Sequence, residues 1–123
     1  MASTVAGTTA GGGIPTEICA ADALAEVTAG TLLIDVREEA EWDRGHSPLA
    51  ISLPMSQLQS RIDEVPENTR VLVVCHSGQR SARVTAALNE AGFDASNVIG
   101  GMIAWQQAGG ELVASTGDQP RVD

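Results

Sequence analysis

A chain of 123 residues holds one domain, large enough to bury a core without disulfides or a structural metal. The net charge is −9 and all seven basic residues are arginine, which leaves no basic footprint for nucleic acid or an anionic membrane surface. A small anionic substrate must then be held by local dipoles and a few arginines, against the field of the whole molecule.

Residues 1–13, MASTVAGTTAGGG, are too small and too polar to bury enough surface to offset ordering, and read as an N-terminal tail. They lack the basic and apolar regions of a signal peptide. Thr16 to Cys19 suits a short edge strand, and Ala20 to Thr28 an alanine-rich helix closed by Gly30. Thr31-Leu-Leu-Ile-Asp-Val36 is a compact apolar run of the kind found in buried parallel strands. Glu38 to Arg44 is polar and helix-prone up to Gly45, and Ala50-Ile-Ser-Leu53 reads as a strand stopped by Pro54. Ser56 is placed to cap a helix in which Leu58, Ile62 and Val65 recur at i, i+4 and i+7 before Pro66. Arg70-Val-Leu-Val-Val74 is the strongest strand signal. Ser81 to Ala91 then places Val84, Ala87, Leu88 and Ala91 on one helical face, with Gly92 as the C′ residue. Asn97 to Ile99 predicts a last strand and Ile103 to Gln107 a last helix, and residues 116–123 resemble the N-terminal tail in composition.

Strands alternating with helices imply an α/β fold, a mostly parallel sheet with helices on both faces. Ligands bind such sheets beyond the carboxyl ends of the strands, and Cys75 stands at one of those ends. Aromatic residues are nearly absent, so the core is built from Val, Leu, Ile and Ala. Cys19 and Cys75 are too few for a disulfide framework and suit a reducing, cytoplasmic setting. No run approaches the ~18 apolar residues of a membrane helix. Two histidines and two cysteines so far apart show no metal-ligand spacing, and no metal or other cofactor is expected.

The stretch VLVVCHSGQRSAR, residues 71–83, carries the chemistry. Curled between a strand and a helix, the loop His76-Ser77-Gly78-Gln79-Arg80-Ser81 turns backbone N–H groups inward as a nest for negative charge. The helix adds unpaired N–H groups and the positive end of its dipole. A cysteine at the base of such a cradle has a lowered pKa, and the thiolate is the nucleophilic form. Cys75 can be read as a buried structural thiol or as that nucleophile; the Gly, Arg and Ser that follow at this spacing favour the nucleophile.

Four segments in order, LLIDVREEAEW, GHSPLAISLP, VLVVCHSGQRSA and VIGGMIAWQQAGG, make the chain resemble a single-domain rhodanese, a thiosulfate sulfurtransferase-like protein, over roughly residues 14–115. The resemblance implies a five-stranded sheet in a three-layer domain and a Cys75 persulfide, with the loop from His76 to Ser81 binding the substrate anion. It implies transfer of sulfane sulfur from thiosulfate or a similar donor to a thiol or cyanide, the acceptor being a small molecule or a protein. The alternative is a delivery module that takes its sulfur from a desulfurase and docks to a protein acceptor. A non-catalytic interaction domain is disfavoured by the presence of the cysteine. The second segment departs from its relatives, which commonly have Ile and Gly where this chain has Ser47 and Leu49.

The loop length argues against the phosphatases and arsenate reductases of related fold. Those have His-Cys and five residues before the Arg, whereas four residues separate Cys75 from Arg80, a ring better sized for a persulfide than for phosphate. Arg80 supplies positive charge at the rim, while Ser77 and Gln79 shape the opening. Ser81 either donates to the persulfide or simply caps the helix. His76 and His46 are read as ordinary loop and structural histidines. Asp35, Arg37 and Glu41, the DVR…E pattern, are assigned a structural role, an Arg37–carboxylate pair bracing the catalytic loop. Trp105 packs its helix on the sheet. Nothing in the sequence brings Cys19 near Cys75.

Overall fold

The computed structural model describes residues 16–122. Its elements in chain order are β1 (Glu17–Ile18), α1 (Ala20–Thr28), β2 (Leu32–Asp35), α2 (Glu39–Arg44), β3 (Ala50–Ser52), β4 (Arg70–Val74), α3 (Gln79–Glu90), β5 (Asp94–Val98) and α4 (Gly101–Gln107). The five strands lie in the order β1-β5-β4-β2-β3, every neighbour parallel. The expected α/β architecture is therefore present, and its sheet is parallel throughout.

Strand alternation decides which layer each residue joins. Leu72 and Val74 of β4 face one side with Leu33 and Val98, where Ala23, Val27, Met102 and Trp105 of α1 and α4 cover them. Val71, Val73 and Cys75 face the other side, with Ile34 and Ala95, under Val84 and Leu88 of α3. Both faces of the central strand are closed, which is why it reads as an unbroken apolar run. Cys75 falls on the α3 side at the carboxyl end of β4.

Three local expectations change. The helix expected from Ser56 is instead two 3₁₀ turns, Met55–Gln57 and Ile62–Glu64. This segment must travel from β3 back to the start of β4, and a 3₁₀ turn rises about 2 Å per residue against 1.5 Å for an α-helix. Leu58, Ile62 and Val65 still reach the α3-side core, so the apolar spacing was a packing signal and not a helix signal. Ser56 does not cap a helix; its hydroxyl donates to Glu38 Oε1 at 2.8 Å. The last strand begins at Asp94, three residues before the expected Asn97. Its polar opening is held by tertiary bonds: the Asn89 amide donates to Ala95 O at 2.9 Å and accepts from Ala95 N at 2.8 Å.

The N-terminal tail expected over residues 1–13 lies outside the described residues. At the other end, residues 116–122 form no helix or strand, but Arg121 N–H donates to Arg44 O at 2.9 Å and Val122 packs against the α1-side core. No helix among the described residues is long and apolar enough to cross a membrane.

Candidate active site

The loop from His76 to Gly78 joins β4 to α3, and α4 fastens its base. Met102 N–H donates to Cys75 O at 2.8 Å and Ile103 N–H to His76 O at 3.2 Å. The first amides of α4, orphaned within their own helix, are thus satisfied by the two carbonyls at the start of the loop. With those carbonyls turned toward α4, the following amides are free to turn inward. Gly101 permits this approach: at φ +59 it is left-handed, and a Cβ there would overlap the carbonyls of both Cys75 and His76. Gly78 makes the second turn, at φ +108, as the residue that opens α3.

Cys75 is 1% exposed, its sulfur seated under the N-terminus of α3. Gly78 N–H donates to Sγ at 3.1 Å, and Ser81 Oγ, in the first turn of α3, lies 3.2 Å from it. Burial pushes the thiol up, but the Ser81 hydroxyl and the backbone amides of Ser81, Gly78 and Ser77 outweigh it, and the net direction is down. A thiol held this way is ionised at lower pH than a free cysteine, and its thiolate is met by donors before any substrate arrives.

The other loop residues fall into two groups. Ser77 and Gln79 are exposed, and His76 is half-buried. Arg80 forms a two-pronged pair with Glu41 of α2, at 2.8 and 2.9 Å. That pair, and not Arg37, ties the loop to α2. Arg37 grips Asp35 through Nε and Nη2 and donates to Gly45 O at 2.7 Å, bracing the end of α2 beneath the loop. Both partners are 1% exposed.

The bond to Arg80 pulls the Glu41 carboxyl down to about 2, against the upward push of burial. A carboxylate with a depressed folded pKa stabilises the fold fully above the unfolded carboxylate range of about 4.3, and that stabilisation fades as pH falls toward about 2. Glu41→Gln is therefore expected to cost about 1 kcal/mol at neutral pH, the scale of a partly exposed bidentate pair. Denaturation of both proteins across pH should show the difference closing in acid. A difference that stays constant from pH 7 to pH 2 would rule out the charge of Glu41 as its source.

His46 Nδ1 lies 2.7 Å from Trp42 O, and the His46 ring stacks on Trp42 with centroids 3.7 Å apart. Trp105 is 1% exposed in the α1-side core. In the GHSP segment, Ser47 is buried and accepts the Leu49 amide at 3.2 Å, so a side-chain turn stands at this departure and leaves Leu49 exposed. Cys19 is exposed at the start of α1. A cleft lined by Thr16, Asn68, Asn89, Phe93 and Asp94 opens at the amino ends of β4 and β5, the opposite edge of the sheet from Cys75. Among the described residues, no group of three His, Cys, Asp or Glu side chains could hold a metal ion.

Two contributors escape the sequence reading. One is the backbone of Met102 and Ile103, whose partners are carbonyls and leave no side-chain signature. The other is Asn97, 5% exposed, whose carboxamide contacts Ser81 and Gly78. Its signal was a polar residue on the inward face of a strand, at the same parity as Cys75.

The family model described as a rhodanese-like domain matches residues 20–108. A sulfurtransferase of Allochromatium vinosum is 38% identical over 91 residues, which is 73% of this chain and 85% of that protein. A putative sulfur carrier protein of Bacillus subtilis is 34% identical over 74 residues; the match takes in 59% of this chain and 40% of the carrier, so the chain spans less than half of it. Among solved structures, a rhodanese-related protein from Thermoplasma volcanium has a TM-score of 0.73 at 31% identity, covering 79% of this chain and 96% of that one.

Proposed function

The chain belongs to the rhodanese-like family, and from that membership we propose that it is a thiosulfate sulfurtransferase working through a Cys75 persulfide. Two of its relatives are named for sulfur transfer and for sulfur carriage; the donor and the residue roles are the proposal. The observation that carries it is the sulfur of Cys75 facing the Gly78 amide and the Ser81 hydroxyl at the carboxyl edge of a parallel sheet.

The Cys75 thiolate attacks the outer sulfur of thiosulfate. A bond forms between Cys75 Sγ and that sulfur, the sulfur–sulfur bond of thiosulfate breaks, and sulfite departs with the electron pair. Sulfite is a good leaving group, so the step needs no general acid. A thiolate or cyanide then attacks the outer persulfide sulfur and leaves with it, and the thiolate of Cys75 is restored. The amides of Ser77, Gly78 and Ser81 receive the negative charge in both states, and Ser77 and Gln79 flank the approach. The transferring unit is residues 14–115, acting in the cytoplasm with both cysteines free.

Intact mass after brief exposure to thiosulfate tests the donor. The expected result is a gain of one sulfur atom that cyanide removes. No gain on folded, reduced protein overturns thiosulfate as the donor. A second reading, sulfur delivery between proteins, draws on the carrier likeness and on exposed Ile99 and Ile103, the latter bonded through its amide to His76. Faster loading from a persulfidated protein than from thiosulfate would favour it.

A further inference from the structure

Ser81 Oγ lies within hydrogen-bond reach of two acceptors, Asn97 Oδ1 at 2.5 Å and Cys75 Sγ at 3.2 Å. A hydroxyl carries one hydrogen, so it serves one of them at a time. The Asn97 amide decides which. Its Nδ2 donates to Gly78 O at 3.2 Å, and a carbonyl oxygen can only accept, so Oδ1 is the atom turned to Ser81. Oδ1 can only accept as well, and the shorter contact places the hydrogen on Asn97. Both side chains are buried. What faces the sulfur is then a lone pair of the Ser81 oxygen, which suits an S–H group that donates and does not suit a thiolate. Gly78 N–H, 3.1 Å from Sγ, is a donor with no such choice.

We propose that Asn97 is a positioning residue that competes with Cys75 for the Ser81 hydrogen, holding the hydroxyl off the sulfur and weakening its support of the thiolate. When Cys75 ionises, the hydroxyl can turn to the sulfur by rotation about its own C–O bond, with no heavy atom moving. The turn leaves Asn97 Oδ1 buried without that donor, which costs part of what the new bond gains. The hydroxyl still lowers the Cys75 pKa, by less than it would with Asn97 absent. The chemical consequence is a balance. A thiolate given every donor forms at lower pH but attacks more slowly, because nucleophilicity falls with pKa. With one donor contested, the sulfur ionises at higher pH and is the better nucleophile once ionised. This role rests on the reading of Cys75 as the sulfur carrier and deepens it.

The charged and titratable groups of the surrounding elements are engaged elsewhere. Arg80 at the start of α3 feels the charge of the sulfur but is paired with Glu41 of α2. Asp35 of β2 is paired with Arg37. Asp94, at the far end of β5, lies 3.7 Å from Arg70 of β4. His76 is the loop neighbour, and α4 brings no charged residue. All of these stay the same when Asn97 is replaced by alanine, so a change in the ionisation of Cys75 reads the hydroxyl.

The test is the pH dependence of Cys75 alkylation by iodoacetamide, with Cys19→Ser as the common background so that one thiol is read. Asn97→Ala frees the Ser81 hydroxyl for the sulfur. It is expected to move the midpoint down by about one unit and to lower the limiting rate at high pH about threefold, since the better-held thiolate is the poorer nucleophile. Asn97→Asp, nearly isosteric, keeps the acceptor that holds Ser81 and adds negative charge; it is expected to move the midpoint up. In a Ser81→Ala background there is no hydrogen to compete for, and Asn97→Ala should hardly move the midpoint. A midpoint that rises or stays put in Asn97→Ala overturns the competition, as does a fall that persists in the Ser81→Ala background. A fall joined to a raised limiting rate marks a loosened loop and overturns it too. If Asn97→Ala does not fold, Asn97→Asp decides: a midpoint at or below that of the parent overturns the role. The readout does not depend on sulfur uptake, so a parent that takes no sulfur defeats the proposed function and leaves the role of Asn97 standing.

Discussion

Cys75→Ser is expected to abolish sulfur transfer while leaving the fold in place. Attack on the outer sulfur of a donor requires a soft anionic nucleophile, and a serine hydroxyl in the same seat stays protonated at neutral pH. The loss should be at least about a thousandfold in kcat/KM, since no other group in the loop can form the covalent intermediate. Stability should hardly change. Serine is close to cysteine in volume, and its oxygen can take the bonds that Gly78 N–H and Ser81 make to Sγ. Steady-state rates and intact mass after thiosulfate, with thermal unfolding alongside, would check all three parts. Because Cys19 is exposed, the variant also shows whether that thiol takes up sulfur on its own. A Cys75→Ser protein that kept the wild-type rate of sulfur transfer would sink the assignment of Cys75.

In the wild type the same step carries a pH signature. Burial acts to raise the Cys75 pKa, and the hydrogen bonds from Ser81, Gly78 and Ser77 overcome it, so its folded value lies below its unfolded one. The thiolate-linked stability is therefore fully present above the unfolded thiol value of about 8.5 and is lost as pH falls through the lower folded value. The loading rate follows the same curve, rising with pH to a plateau reached before a free thiol would ionise.

How much of this is legible in the sequence depends on what each residue's partner is. Arg70 to Val74 reads as a strand because both faces of β4 are covered, so each of its side chains from Val71 on had to be apolar. The cradle reads well for the same kind of reason. A glycine three residues after a cysteine and a serine three residues further are what a turn under a helix N-terminus needs, and Gly78 and Ser81 both reach Sγ. Arg80 is harder. Its charge is visible, but its direction is set by Glu41, 39 residues earlier, whose approach depends on how α2 packs. Asn97 is harder still, because a polar residue in a short strand is explained equally by an exposed edge until the strand is known to lie between β1 and β4. The segment after Pro54 misleads because apolar residues three or four apart satisfy a helix and two successive 3₁₀ turns alike. Periodicity reports which side chains meet the core; it does not report the rise per residue.

Arg37→Ala should be the most damaging substitution for stability. Asp35 is 1% exposed on β2, and its carboxylate is held by Arg37 Nε and Nη2 together with the backbone N–H of Arg37. Removing the guanidinium leaves the carboxylate buried with that single backbone donor, and it strips Gly45 O of its 2.7 Å partner. Breaking a buried pair from one side costs about 3–5 kcal/mol, a large share of the roughly 5–15 kcal/mol that holds a domain together. At about 4–8 °C per kcal/mol for a domain near 100 residues, the melting temperature should fall by tens of degrees. The penalty comes from the stranded charge as well as from the lost volume, and the double variant Asp35→Asn with Arg37→Met separates the two. With no charge left to strand and most of the side-chain volume kept, it should recover a good part of the loss. If Arg37→Ala costs less than about 1 kcal/mol, the pair is not what braces α2. If the double variant is no better than the single one, the damage comes from the bond to Gly45 and from packing. Sulfur transfer by folded Arg37→Ala protein, measured well below its melting temperature, should remain within a few fold of wild type, because Arg37 touches Asp35 and Gly45 and makes no bond to the Cys75 loop.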